Sequence, residues 1–256
     1  MPQWNPDLYL QFDRQRTQAA IDLVNRIEHD APTHVIDLGC GPGNSTAILR
    51  NRWPDAQITG LDSSADMITH ARERDLQAHW VQGDIATWTP DNKPDILFAN
   101  ASLQWLPNHA QLLQRLVSLL APSGVLAIQF PFHHRSPLQQ VVLEASRDPR
   151  WHEAMADARD ALTWHDSGYY YDALADQCTH IDLWETEYFH IMESHDAILD
   201  FIRGSGLRPF VQALDSEEDI AQFETLVLQG YRQNYPPSQN QKILFPFRRQ
   251  FILAHT

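Results

Sequence analysis

An α/β fold, built as a doubly wound and largely parallel sheet, is predicted by three observations. Short apolar strands alternate with amphipathic helices from residue 15 to about 130, a glycine cluster closes the first strand, and an aspartate ends the second. Arg16 to Ile27 places Ala19, Ala20, Leu23, Val24 and Ile27 on one helical face. The apolar strand His34 to Leu38 then runs into Gly39-Cys-Gly-Pro-Gly43, and a helix follows from Ser45 to Arg52. Gln57 to Asp62 reads as the second strand and Ala65 to Arg74 as the next helix. Further strands are predicted at His79 to Gln82, Ile96 to Ala99 and Val125 to Phe130, with a helix from Ala110 to Leu120 between the last two. Strands this apolar need helices on both faces, and right-handed crossovers supply them.

After Pro131 the rhythm changes. Pro137 to Ala158 is helical in pattern, as is Asp172 to Asp176, and Ile181 to Met192 reads as a long strand. Ser194 caps a helix through Ile202, and Ser216 with Asp219 forms a capping signature for another running to about Gln233. Pro236-Pro237-Ser238 is a loop, and Lys242 to Ala254 is a last strand interrupted by Pro246. The expected organisation is a single domain over 1–256. An N-terminal lid and first helix span 1–30, a ligand-binding core 31–131, helical cap insertions 132–178 and 194–241, and the last two strands 179–193 and 242–256. Such insertions would cover the carboxyl edge of the sheet, where ligands bind in open α/β folds.

Composition narrows the function. Of 256 residues, 43% are hydrophobic and 20% charged, an ordinary globular balance. The formal charge is −14, which argues against nucleic acid or an anionic membrane as partner. No apolar run is long enough to span a bilayer, and two distant cysteines make no disulfide framework, so a cytoplasmic location is expected. The 13 histidines show no recognised metal-ligand spacing, so no metal is expected. Nothing points to an obligate dimer helix, and a monomer or weak dimer is expected.

The glycine cluster and Asp62, 19 residues after Gly43, carry the chemistry. Glycines let a ligand approach the backbone, and a carboxylate at that distance can accept both hydroxyls of a ribose. Asn44 stands where a dinucleotide fingerprint wants glycine, and no G-K-[ST] follows, which disfavours NAD and excludes a nucleotide P-loop. Asp37 lies inside an otherwise apolar strand and must order the loop or meet a cationic group. Asp84 follows the third strand. Asn100, Gln104 and Trp105 follow the fourth, with an amide and an indole at the sheet edge.

Val35-Ile-Asp-Leu-Gly-Cys-Gly-Pro-Gly43, Gly60-Leu-Asp62-Ser63, Gly83-Asp84-Ile85 and Pro94-Asp-Ile-Leu-Phe98 resemble the successive motifs of class I S-adenosylmethionine-dependent methyltransferases. Trp4-Asn-Pro-x-x-Tyr9, Asn100 to Pro107, Gly206-Leu-Arg-Pro209 and Arg249-x-Phe-Ile are similar to their trans-aconitate methyltransferase branch. The resemblance implies a Rossmann-like sheet with an antiparallel C-terminal strand, and S-adenosyl-L-methionine as cofactor, leaving as S-adenosyl-L-homocysteine. It implies Gly39, Gly41 and Asn44 against the methionine and ribose, Asp62 on the ribose hydroxyls with Ser63 and Met67 beside it, and Asp84 and Ile85 at adenine. Asn100 and Gln104 would lie near the methionine, with Arg16 and Asp37 also on the cofactor and Gln104 and Trp105 positioning the reactants.

The expected acceptor is a small tricarboxylate, esterified on one carboxylate to a monomethyl ester. A carboxylate is already ionised at neutral pH, so no catalytic base is expected. Arginine forks suit its binding, and Arg208 and Arg249, with Tyr9 and Tyr170, are the expected substrate residues. Arg203 and Arg248 lie close to them in sequence. The alternatives are another small or carrier-linked carboxylate, or a binding protein without turnover.

Overall fold

The computed structural model describes residues 13–256 except 75 and 135, with side chains described from residue 17 onward. The expectations for Trp4, Tyr9 and the Arg16 side chain therefore lie outside the described residues. In chain order the elements of the first half are α1 (Asp13–Arg26), β1 (His34–Leu38), α2 (Asn44–Arg52), β2 (Gln57–Asp62), α3 (Ala65–Arg72), β3 (His79–Gln82), β4 (Ile96–Asn100), α4 (His109–Leu119) and β5 (Val125–Pro131). The second half holds α5 (Pro137–Ala145), α6 (Ala156–Arg159), α7 (Ser167–Leu174), β6 (His180–Met192), α8 (His195–Arg203), α9 (Arg208–Gln212), α10 (Glu217–Asn234) and β7 (Ile243–His255).

The seven strands form one sheet in the order β3-β2-β1-β4-β5-β7-β6. β1 to β5 pair in parallel, and β7 runs antiparallel to both β5 and β6. Alternation along each strand divides the core between two faces. On one, α1 and α2 cover Val35, Ile58, Ile96, Phe98, Val125 and Phe251. On the other, α4 and α7 cover Ile36, Leu61, Leu97, Leu126, Ile128 and Ile252. A third cluster joins α5, α8, α9 and α10 to Met192, Phe245 and Phe247 on β6 and β7.

The long β6–β7 pair exceeds the sheet because β5 pairs β7 only over 249–255. That explains Pro246, which does not interrupt the strand as expected. It sits opposite Phe189 in the overhang, where no third described strand needs its missing N–H.

Three helices depart from expectation. The pattern over Pro137 to Ala158 is not one helix: α5 ends at Ala145, and helical structure resumes only at Ala156. Pro149, which lacks an N–H and clashes with a preceding turn, stands in the gap. The helix expected at Asp172 to Asp176 starts at Ser167 instead, because the Asp166 carboxylate accepts the Tyr169 N–H at 3.0 Å as an N-cap. The short α9 went unforeseen; it carries Pro209 in its first turn.

Candidate active site

Chain direction in the sheet reverses between β1 and β4, and at that switch point the loops leaving their carboxyl ends part to form a cleft. Its volume is about 570 Å³. Gly39, Gly41, Asn44, Asp62, Ser63 and Met67 line one side, and Asp84, Ile85, Asn100, Trp105 and Arg208 the other. Most of the expected cofactor residues thus meet in one place.

Gly39 leaves β1 at φ +74°, and a Cβ there would lie 2.3 Å from the Ser102 Cβ. Ser102 donates in turn to the Leu38 carbonyl at 2.6 Å, which locks the loop after β4 against the loop after β1. At Gly41 nothing lies within 4 Å of the place a Cβ would take, so the backbone is bare where it borders the cleft. The Gly41 N–H donates to Asp62 Oδ2 at 2.9 Å, and the Ser64 N–H to Asp62 Oδ1 at 2.9 Å. Burial pushes the Asp62 carboxyl up, and these backbone donors oppose that shift. A carboxylate offers about four acceptor positions, so the two oxygens retain capacity for a diol. Asp84 accepts the Ala86 N–H on Oδ1 at 2.8 Å, and its carbonyl receives Thr87 and Trp88. It therefore builds the turn that borders the cleft as well as facing it. Asn44 opens α2 and accepts from Arg74.

Asp37 is corrected from a cleft residue to a support. It is 0% exposed and does not form part of the cleft wall. Its Oδ2 accepts Ser45 Oγ at 2.7 Å and Thr46 Oγ1 at 2.6 Å, tying the first turn of α2 to β1 behind the glycine loop. Burial pushes its carboxyl up to about 6 from the usual 3.8. The folded protein therefore holds this proton more tightly than the unfolded chain. Stability falls as pH rises from about 4 to about 6 on this account, and the full penalty, about 3 kcal/mol, persists above. Asp37→Asn keeps an acceptor for both hydroxyls without the charge. We expect its Tm to exceed that of the wild type at pH 8 and the gap to close toward pH 4; parallel melts across that range check it.

Beside the cleft, under the cap helices, lies a second cavity, and Trp105 forms a wall of both. The chamber is mostly apolar, with Leu138, Val142, Leu162, Ile202, Phe210 and Phe247 among its walls. Gln104 faces this chamber rather than the cleft, and its Nε2 donates to the Ala101 carbonyl at 2.8 Å. The Arg208 guanidinium lies over Trp105, 4.9 Å from the ring centroid, where cleft and chamber meet. Burial pushes it down to about 10, which leaves it cationic at neutral pH. Arg249 on β7 is 4% exposed and stacks 4.6 Å from the Phe247 ring, on the far side of that wall. It donates to Gln129 Oε1 at 3.2 Å, and Gln129 Nε2 donates to Asn100 Oδ1 at 2.6 Å. The expected substrate arginine and an expected cofactor residue are thus two ends of one buried chain. His133 lines the chamber too; burial and the nearby Arg249 charge push it down to about 3, so it is neutral.

Tyr170 is not at the site. It is 1% exposed in the core beneath the sheet, with Phe130 and Leu174. His109 Nε2 donates to the Leu103 carbonyl at 3.0 Å, which leaves Nδ1 to accept the Tyr170 hydroxyl at 2.7 Å. Tyr170→Phe should then cost about 1–3 kcal/mol of stability through the unpaired imidazole nitrogen, seen as a lower Tm, with acceptor KM unchanged. Arg203 and Arg248 are absent from the site as well. Arg203 pairs with Glu224 and Asp200, and Arg248 with Glu185 and Glu187. Residues that sequence reasoning missed are Gln129, Ser102, His133 and Trp164. Gln129 had a signal, since a lone amide inside Val125-Leu-Ala-Ile-Gln-Phe130 is a buried polar group that needs a partner.

Sheet order and a switch-point cleft of this kind define a methyltransferase domain, and residues 35–124 match the family described as "Methyltransferase domain". The trans-aconitate 2-methyltransferase of Azoarcus sp. (strain BH72) is 42% identical over 99% of both chains. The enzyme of the same name from Escherichia coli O157:H7 is 43% identical, over 99% of this chain and 98% of its own. The chain belongs to the trans-aconitate 2-methyltransferase family. Among solved structures the fold is similar to the YcgJ protein of Bacillus subtilis, with TM-score 0.59 and 15% identity over 93% of this chain and 97% of that one. It is also similar to the plantazolicin methyltransferase BamL solved with SAH, with TM-score 0.53 and 17% identity over 98% and 90%.

Proposed function

We propose that the protein transfers a methyl group from S-adenosyl-L-methionine to one carboxylate of trans-aconitate, giving a monomethyl ester. Family membership supports the reaction, and the observation that carries the acceptor class is the Arg208 guanidinium over Trp105, at the junction of cleft and chamber. The donor set suits the cofactor. The bare Gly41 backbone admits close approach, Asp62 keeps acceptor capacity for the ribose hydroxyls, and Asp84 with Ile85 borders the place of adenine. Gly39, Asn44 and Asn100 stand toward the methionine end, and Ser63 and Met67 complete the ribose side.

When bound, S-adenosyl-L-methionine supplies a methyl on a sulfonium sulfur, open to in-line attack by an anionic oxygen. The chain's own work is positioning. Arg208 and Arg249 hold carboxylates of the acceptor, and a carboxylate needs no base at neutral pH. Trp105 screens the junction from water while charge is lost from both reactants, a step favoured by a water-poor site. Holding the atoms about 3–3.5 Å apart in line can supply several kcal/mol of the barrier.

The deciding experiment is mass spectrometry after incubation with S-adenosyl-L-methionine and, separately, trans-aconitate, cis-aconitate, isocitrate, citrate and malonate. One methylene gained by trans-aconitate, with stoichiometric S-adenosyl-L-homocysteine, is the expected result. Cofactor binding with no methylated acid would discard the acceptor and keep the cofactor.

A further inference from the structure

The chamber beyond Trp105 is poorly matched to the acceptor just proposed. Its walls are mostly aliphatic and aromatic, and no Asp or Glu lines it. The polar groups that do line it are largely engaged elsewhere. Arg159 gives its two terminal nitrogens to the Ser146 and His152 carbonyls at 3.1 and 3.0 Å, and Gln104 gives its amide nitrogen to Ala101. His133 is uncharged near neutrality. A tricarboxylate seated deep in this space would leave charges desolvated among hydrocarbon walls, while a hydrocarbon chain would be at home there. One cation, Arg208, stands at the mouth on the cofactor side. A charged mouth opening on an apolar chamber is the recognition pattern for a carboxylate with an alkyl tail.

Size sets the tail. By the measure on which one water needs about 10–15 Å³, the chamber's 80 Å³ holds about five to eight water-sized groups. A methylene is about that size, so the chamber accepts a chain of about five to eight carbons beyond the carboxylate.

We propose that the protein also esterifies linear monocarboxylic acids of about six to nine carbons, with the carboxylate at Arg208 beside Trp105 and the alkyl chain in the chamber walled by Leu138, Val142, Leu162 and Phe210. The inference rests on the methyl-transfer reading above, not on its acceptor. Bond changes are the same: the carboxylate oxygen forms the new bond to the methyl carbon, the methyl–sulfur bond breaks with its electron pair left on sulfur, and no proton moves.

Full-length protein with S-adenosyl-L-methionine is to be assayed against straight-chain acids from butanoic to dodecanoic and, in parallel, against trans-aconitate, with the esters identified by mass spectrometry. Burial of each methylene should lower KM about fourfold up to a break near nine carbons, after which KM levels off. Leu162→Phe fills part of the chamber and should move the break to a chain shorter by one or two carbons; Val142→Phe serves if that variant does not fold. Ester from trans-aconitate but from none of the acids overturns this inference and leaves the acceptor reading standing. Esters of the acids with KM independent of chain length, or a break unmoved by both variants, remove the chamber from acceptor binding. Esters of the acids without ester from trans-aconitate uphold the inference and discard that acceptor. No ester from any acid overturns both.

Discussion

Asp62→Asn should weaken the binding of S-adenosyl-L-homocysteine by roughly 100-fold or more, without lowering Tm at neutral pH. The carboxylate performs two tasks at once. Inwardly it receives the Gly41 and Ser64 N–H groups, one on each oxygen, and so fixes the glycine loop against the end of β2. Outwardly it borders the cleft, where its remaining lone pairs can accept the two ribose hydroxyls. An amide cannot do both, because its NH2 group must face one of those backbone donors. Hydrogen bonds to a charged acceptor contribute about 1.5–3 kcal/mol each. Losing the diol contacts thus removes on the order of 3 kcal/mol, or about two decades of affinity. Fold stability should not follow, because burial already disfavours the charged carboxylate in the folded state. Titration calorimetry on the variant and melts at pH 7.5 separate the two effects. A variant that binds as tightly as the wild type would remove Asp62 from the cofactor site.

What the sequence made legible was local. The strands from His34 to Phe130 could be read because each is short, apolar and bounded by a turn or a helix cap, and β1 and β2 begin and end where the pattern says. The glycine loop, Asp62 and Asp84 were readable for the same reason, since each stands at a fixed place relative to a strand end and those ends converge at the switch point. The failures are tertiary. Tyr170 sits in a run of three tyrosines, and only packing decides that its ring points under the sheet to His109 while Tyr171 stays exposed. Asp37 reads as a buried carboxylate with a function, yet whether it faces the ligand or the helix behind the loop depends on where Ser45 and Thr46 come to lie. Pro149 breaks the helical pattern that begins at Pro137, although the apolar spacing passes straight through it. The chamber is built from α5, α8, α9 and β7, which are far apart in sequence, and no linear motif announces such a cavity. Neither does one announce Gln129 as the link between Arg249 and Asn100, since the register of β5 against β7 and β4 brings them together.

That link changes what Arg249→Ala should do. As a simple acceptor ligand, its loss would raise the KM for trans-aconitate and leave the cofactor untouched. Arg249, however, is 4% exposed and donates to Gln129, whose other end donates to Asn100 on the cleft wall. Removing it takes away a guanidinium fork for the acceptor and frees Gln129 Oε1, so that Gln129 can turn and release Asn100. Loss of a buried, charge-assisted contact costs about 2–5 kcal/mol, so we expect KM for trans-aconitate to rise roughly 100-fold or more. Cofactor affinity should fall as well, by the few-fold that a weakened neutral hydrogen bond of about 1 kcal/mol implies. Arg249→Lys discriminates the roles. One ammonium can hold Gln129 in place and restore cofactor affinity, but it cannot offer a planar fork to a carboxylate, so KM should stay high. Gln129→Leu gives the complementary result, with weaker cofactor binding and a smaller rise in KM. The three variants are to be compared by titration with S-adenosyl-L-homocysteine and by initial rates at saturating cofactor. If all three bind cofactor normally, the Gln129 bridge is passive; if Arg249→Ala also keeps its KM, the arginine is a buried strut and the acceptor carboxylates are held by Arg208 without it.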